Sequence, residues 1–485
     1  MRILLIYPCT IPFNIPKIAW TPLSLSFIAS VLQREGHMLS IFDRFAIQAK
    51  TGKNRDQLNK TMIEHIRQFQ PDLIGLNTVS PLIHDTVETV TSIRKVFNGM
   101  LLAGGHHATA LPDLTLLKLP GLDGVVEGEG EMPMVDIAKG EHPSTIPGVW
   151  WKKEKGKVIH TPPRQIENLD HLPFPALDLL DMAFYTKPTL LSIRGYYLST
   201  IPILTSRGCA YRCDFCCESI TYGKGVRLHG LEYVIEWIRK VLMDYRVEAI
   251  YFYDNDFLFD EVRSIELCEK MLSTGLSKKV QWAIQTRANR IHIDILKLLK
   301  KAGCISIELG VESALQNQLN NIHKGTEVDI NEKAIALSRR EGISVHAYMM
   351  TGFEGERISD LQKGLHWLKR VKPDSFSWFP LMIHPGTLLY KNKGNHFFEK
   401  NEWTEENILR YYKSDFLSCI SGEERQEWTN RHLVPYQKWK FRQHIFRVNS
   451  LQKLIPLLLW RVEEFIKRLI LSVRKTFLFS TEKGG

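Results

Sequence analysis

The sequence predicts an α/β protein with two parallel sheets in series and a helical region after them. Three observations predict this. Short apolar runs alternate with segments of helical spacing from the N-terminus to about residue 126. The same alternation resumes near residue 200 and runs to about residue 380. Beyond about residue 395 the strand-like runs stop, and helical spacing continues with Trp403, Tyr411, Tyr412, Trp428 and Trp439. At 485 residues the chain is too long for one compact core. The expected division is a doubly wound sheet over 1–145, a linker over 146–195, a partial barrel over 196–394 and a helical region over 395–485.

In the first unit, Ile3 to Tyr7, Leu39 to Phe42, Leu73 to Thr78, Met100 to Ala103 and Val125 to Val126 read as strands. Leu23 to Glu35, Ile63 to Phe69 and Thr86 to Phe97 read as helices between them. Ligands of such sheets bind beyond the carboxyl ends of the strands, here the loops at 8–20, 79–84, 104–109 and 127–131. A hairpin over Val149 to Lys153 and Lys157 to His160 opens the linker, which is expected to wrap the protein and not to fold alone. In the third unit, strands are expected at Ile201 to Thr205, Ala249 to Tyr253, Val280 to Ile284, Ile305 to Leu309, Ser344 to Met350 and Ser375 to Pro380. Six βα units in about 200 residues suit a partial (β/α)₈ barrel, whose reactive groups lie at strand C-termini.

Lys and Arg number 63 against 53 Asp and Glu, a net charge of +10, which does not choose among anionic cofactors, nucleic acid and acidic lipid. No run resembles a DNA-binding module, and no nucleic-acid partner is expected. The N-terminus lacks a long apolar core and a cleavage site, and about 18 uncharged apolar residues nowhere run together. The expected location is the cytoplasm, with membrane association as an open addition. Of eight cysteines, Cys209, Cys213 and Cys216 cluster, with Cys217 directly after; such clustering reads as metal binding in a reducing compartment.

The run Ser206-Arg-Gly-Cys-Ala-Tyr-Arg-Cys-Asp-Phe-Cys gives Cys-x3-Cys-x2-Cys immediately after the first barrel strand. Three thiolates on a tight loop can each take one iron of a cubane and leave the fourth iron open. Structural zinc normally takes four ligands in paired Cys-x2-Cys spacing. No second pair exists here, and the adjacent Cys217 is a poor fourth ligand.

These residues resemble the radical S-adenosylmethionine (SAM) signature. The resemblance implies a [4Fe–4S] cluster on Cys209, Cys213 and Cys216, with Phe215 against the adenine of SAM. Leu309-Gly-Val-Glu-Ser resembles the family's fourth-strand motif and places Glu312 and Ser313 near SAM. Met350-Thr-Gly-Phe-Glu-Gly-Glu resembles the fifth-strand turn, with Gly352 beside the adenine, and His384-Pro-Gly-Thr resembles the sixth-strand motif. In place of the Gly-Gly-Glu that often follows strand two stands Tyr253-Asp-Asn-Asp-Phe. The SAM amino group then falls to Asp254, Asn255 or Asp256.

Gly104-Gly-His-His-Ala-Thr-Ala-Leu-Pro and Val126-Glu-Gly-Glu-Gly-Glu resemble the domain of B12-dependent radical SAM proteins. So does the connector Glu167-Asn-Leu-Asp-His-Leu-Pro-Phe-Pro, and the resemblance covers roughly residues 1–390. It implies bound cobalamin, with Gly104, Gly105, His107, Thr109, Gly128 and Glu129 as binding residues. The lower-ligand sequence Asp-x-His-x-x-Gly is absent, so whether His106 or His107 meets cobalt stays open. A dinucleotide reading fails because Gly128-x-Gly130 opens no Gly-x-Gly-x-x-Gly helix. A methylthiotransferase would need more N-terminal cysteines than Cys9.

The resemblance implies an enzyme that methylates an unactivated carbon of a small-molecule or lipid-like substrate and takes electrons from a partner such as flavodoxin or ferredoxin. A radical cyclisation or rearrangement, and a non-catalytic cobalamin or cluster sensor, are the alternatives. Tyr253, His346, Tyr348, Trp378 and His384, on or after barrel strands, are the substrate-pocket candidates, with barrel packing as their other reading. Finally, Leu459, Val462, Phe465, Ile466, Leu469, Ile470 and Val473 recur at helical spacing in a stretch, 441–485, with nine Lys or Arg against three Glu. Such a helix either docks on the barrel or lies in a membrane interface.

Overall fold

The structure is a computed structural model that describes residues 1–9, 20–152, 157–223, 225–413, 417–450 and 452–455. The expected basic helix beyond residue 456 lies outside the described residues. Strands β1 (Arg2–Tyr7), β2 (Met38–Asp43), β3 (Leu73–Asn77), β4 (Met100–Gly104) and β5 (Gly124–Val126) form a parallel sheet in the order β2-β1-β3-β4-β5. Their apolar runs are buried on both faces, as a sheet covered by helices on both sides requires. The hairpin β6 (Val149–Lys152) and β7 (Val158–His160), expected to belong to the linker, instead continues this sheet antiparallel from β5. It caps an edge that three residues of β5 would otherwise leave open.

The rest of the 146–195 segment packs against the first unit. Leu169, Leu172, Ala176 and Leu177 are buried, and Ala176 N–H donates to the Ser26 carbonyl at 3.0 Å.

The second sheet is all parallel, in the order β15-β14-β13-β12-β11-β8. Its strands are β8 (Thr200–Ile203), β11 (Ala249–Phe252), β12 (Gln281–Thr286), β13 (Cys304–Glu312), β14 (Ser344–Thr351) and β15 (Ser375–Pro380). Between β8 and β11 lies an element the pattern did not announce. This is an antiparallel ribbon of β9 (Ser206–Cys209) and β10 (Gly225–Leu228) that carries the cysteine loop between its strands.

One apolar core runs through both sheets. Helix Leu231–Tyr245 buries Val234, Ile235, Trp237, Ile238 and Val241, a single stripe at helical spacing. Trp237 meets Phe27 of helix Leu23–Arg34 edge-on at 5.6 Å, which joins the barrel's outer layer to the first domain's helical layer. The helical region divides. Phe398, Trp403, Ile408, Tyr411 and Tyr412 fold back over the first sheet, packing with Ile6, Ile74 and Leu76. Helix Val434–Val448 lies on the barrel, where Gln437 donates to the Phe376 carbonyl at 2.9 Å. Among the described residues no helix is long and apolar enough to cross a membrane.

A shared core predicts one cooperative unfolding transition. Trp237→Ala should lower stability by about 3–5 kcal/mol and leave a single calorimetric transition. Two separable transitions in the unsubstituted protein would show that each sheet holds its own core.

Candidate active site

The cysteine loop is braced at its root. Asp254, just past β11, accepts hydrogen bonds from Thr205 N–H and Oγ1 at 3.0 Å each and from Ser206 Oγ. Within the loop, Cys216 N–H donates to the Cys213 carbonyl at 3.0 Å, and Phe215 is half-buried. All four cysteines here are free thiols. Among the described residues no three His, Cys, Asp or Glu side chains converge on one ion. Burial pushes the Cys216 thiol up to about 12 and raises Cys209 as well, so a positive centre must accompany their ionisation. Arg287, after β12, supplies charge beside them. Its Nη1 is 3.6 Å from Cys213 Sγ, and its guanidinium lies 3.8 Å from the Tyr211 ring centroid. The sequence reading missed Arg287, because a lone arginine after a strand carries no spacing signal.

The three candidates after β11 separate cleanly. Asp254 is committed to Thr205 and Ser206. Asn255 Nδ2 donates to the Gly208 carbonyl at 3.1 Å and to Glu218 at 3.2 Å. Asp256 accepts from Thr286 Oγ1 at 2.6 Å through Oδ1, while its buried Oδ2 has no partner among the described residues. Asp256 is also close enough to Cys209 to raise that thiol electrostatically. Glu312 ends β13 in the left-handed region (φ 63°) at a register shift against β14, and it pairs with Lys324 at 2.7 Å. A non-glycine residue in that conformation beside a bulge is a mark of functional sites. Ser313 accepts from Leu315 N–H at 3.0 Å and donates to Gln318 Oε1, and Gly352 N–H donates to Glu356 at 2.7 Å.

The five substrate candidates part company. His346 has Nδ1 at 2.7 Å from Ser375 Oγ and Nε2 at 3.1 Å from Ser377 Oγ, so both nitrogens are used. Trp378 points to the barrel's outer layer, donates to the Met350 carbonyl at 2.6 Å and meets Trp428. Both are barrel packing. Tyr348 joins an internal network, donating with Tyr251 (3.0 Å) to the buried Glu308. Neither Glu308 nor Tyr251 was singled out from sequence, although strand alternation from Glu312 reaches Glu308. Tyr253 remains 45% exposed at the barrel mouth, its ring 5.8 Å from Trp20. His384 faces Tyr412, whose hydroxyl is 3.3 Å from its Nδ1.

Above the first sheet lies a cleft that is partly open to solvent. Gly104, Gly105, Gly128 and Glu129 line it, as do His106, Asn77, Ser24 and Tyr222. Gly105 holds φ 92°, and a Cβ there would meet the Thr78 carbonyl oxygen at 2.7 Å. Gly104 differs. A Cβ would find no protein atom nearer than 3.5 Å, so packing does not explain the missing side chain. Thr109 braces the cleft by accepting from Gly128 N–H at 3.0 Å. His107 does not line it. Its ring is fully buried beside Phe398 and Trp403, with Nδ1 3.0 Å from Ser80 Oγ, because the helical turn from His106 directs it into the core. The cleft's far wall comes from the barrel's first segment: Leu204, Arg207, Thr221 and Tyr222, the residues that flank the cysteine loop.

A cleft at the carboxyl ends of the first sheet, closed by residues that flank a three-cysteine loop, points to the class of enzymes built on an iron–sulfur cluster and a second cofactor. The Radical SAM superfamily profile matches residues 203–368, and the B12 binding domain profile matches residues 16–138. An uncharacterized methyltransferase of Pyrococcus horikoshii is 30% identical over 404 residues, covering 81% of this chain and 83% of that relative. The anaerobic magnesium-protoporphyrin IX monomethyl ester cyclase of Cereibacter sphaeroides is 26% identical over 474 residues, covering 95% and 72%. Among solved structures, the radical SAM methyltransferase TsrM of Kitasatospora setae, with tryptophan and a SAM analogue bound, shares the fold. Its TM-score is 0.66 at 18% identity, covering 80% of this chain and 74% of that one. The chain belongs to the B12-binding radical SAM enzymes. Its cofactors are a [4Fe–4S] cluster, SAM and cobalamin.

Serine at Cys209, Cys213 or Cys216 should abolish the cluster's visible absorbance after anaerobic reconstitution, and Cys217→Ser should retain it. Loss of the cluster in Cys217→Ser with retention in one of the other three would reverse the assignment. Acid sensitivity follows from the buried histidines. Burial depresses His107 to about 3 and His384 to about 4, below the 6.5 of an exposed imidazole. Between pH 6.5 and 4 the unfolded chain binds protons that the folded one excludes, so stability falls as pH falls. His107→Phe should flatten that slope by up to about 1.4 kcal/mol per pH unit, measured by denaturant unfolding at stepped pH.

Proposed function

We propose that this enzyme methylates an unactivated carbon of a small-molecule or lipid-like substrate. The observation that carries the reading is the shared wall, in which residues flanking the cysteine loop also close the cleft above the cobalamin-type sheet. The bound cofactors supply a methyl carrier and a radical that removes hydrogen from carbon. The chain's own residues bind and orient. Asp256, with its buried Oδ2 unpartnered among the described residues, would hold the SAM ammonium, while Asp254 keeps the loop root rigid. Arg287 offsets negative charge at Cys213. Trp20, Tyr251 and Tyr253 form an aromatic wall at the barrel mouth that keeps water from the reacting carbon. Gly104 leaves room above β4 for the corrin or its tail. Electrons come from an external one-electron donor such as flavodoxin or ferredoxin.

A cyclase reading has one specific support, the 26% identity to the anaerobic cyclase across 95% of this chain. Product analysis separates the two. With cluster, cobalamin, reductant and SAM, methylation yields S-adenosylhomocysteine and 5′-deoxyadenosine together, and label from the SAM methyl group enters the product. Deoxyadenosine without S-adenosylhomocysteine would favour the cyclase. Neither product would overturn both. Gly104→Leu should weaken cobalamin retention by at least about tenfold, equivalent to 1.4 kcal/mol, with an unchanged melting temperature.

A further inference from the structure

The ribbon that presents the cysteine loop carries an electrostatic fault of its own. Arg207 on β9 and Arg227 on β10 are direct cross-strand partners, and like charges in that position repel. Neither ribbon strand supplies a carboxylate between them. The compensation comes from the other domain. Glu129 Oε1 accepts from Arg207 Nη1 at 2.7 Å, and its Oε2 accepts from Arg227 Nη1 at 2.6 Å. Glu131 completes the set, accepting from Arg207 Nη2 at 2.7 Å. Arg207, Glu129 and Glu131 are almost wholly buried, so these pairs are little screened. The same Glu129 sits on the glycine-rich loop that lines the cofactor cleft, Glu131 opens the helix directly after it, and Arg207 stands two residues before Cys209.

We propose that this four-residue clamp couples the two cofactor sites, so that cluster assembly on the cysteine loop and cobalamin binding in the cleft strengthen one another. Arg207 is the positioning residue. An assembled cluster fixes the loop and hence the ribbon, which holds both arginines on the carboxylates and the 128–131 loop in its cleft-lining shape. Without it, the ribbon is free to shift, and any shift that takes an arginine off Glu129 or Glu131 leaves buried charges without partners and deforms the cleft loop. By linkage the effect is reciprocal: cobalamin in the cleft pins Glu129 and Glu131 and favours cluster assembly by the same factor. The inference rests on the cleft being the cobalamin site.

The test is a hydroxocobalamin titration of the full chain, anaerobic, in two states: cluster reconstituted, and cluster-free through Cys209→Ser/Cys213→Ser/Cys216→Ser. The cluster-loaded state should bind at least about fivefold more tightly, the lower end of ordinary coupling. Glu131→Gln keeps the side chain's shape and an acceptor for Arg207 while removing one charge. It should shrink the ratio towards one, and Arg207→Met, which removes both arginine contacts, should abolish it. A merely structural clamp would lower both affinities and leave their ratio intact. Equal affinities in the two states, or a ratio unchanged in Glu131→Gln, overturns the coupling alone. Should Arg207→Met fail to fold, the unsubstituted ratio and Glu131→Gln still decide. No retained corrin in either state overturns the cleft assignment and the coupling with it.

Discussion

Everything in this molecule depends on two parallel sheets sharing one apolar core. A parallel strand exposes its reactive loop only at its carboxyl end, so two such sheets can build a joint site only if those ends are brought together and held. The Phe27–Trp237 contact and the buried linker residues Leu169, Leu172 and Ala176 do the holding, by excluding water from a continuous interface. The C-terminal aromatics close the arrangement by folding back over the first sheet.

Polar groups at the junction follow from that burial. Once the interface excludes water, each charge within it needs a partner, and for Arg207 and Arg227 the partners lie across the domain boundary. Arg207 and Arg227 find Glu129 and Glu131, while Asp254 takes up Thr205 and Ser206 at the root of the cysteine loop. The same rule explains the groups left over. Asp256 Oδ2, on a side chain close to Cys209, is buried and without a partner among the described residues.

The two cofactor environments differ in kind. The cysteine loop is a polar, charge-compensated ribbon, with Arg287 and Tyr211 stacked beside it. The cleft over β4 is formed by absence, with Gly104 leaving space that a side chain would take. Trp20, Tyr251 and Tyr253 form an aromatic cluster at the barrel mouth.

By itself the sequence determined the two series of βα units, the cysteine loop after β8 and the glycine pairs after β4. These are local: apolar periodicity, Cys-x3-Cys-x2-Cys and Gly-Gly each state their chemistry within a few residues. Only the tertiary structure decided which side chains reach a site. His346 and Trp378 look the same in sequence as Tyr253, yet hydrogen bonds to Ser375, Ser377 and the Met350 carbonyl fix them as packing. His107 sits next to His106, and one helical step sends it into the core among Phe398 and Trp403, residues about 290 positions away. Glu129 looked like a cofactor contact and also serves as the counter-ion of Arg207 and Arg227. A residue's partner is set by which distant segments share its burial, and no spacing along the chain carries that information.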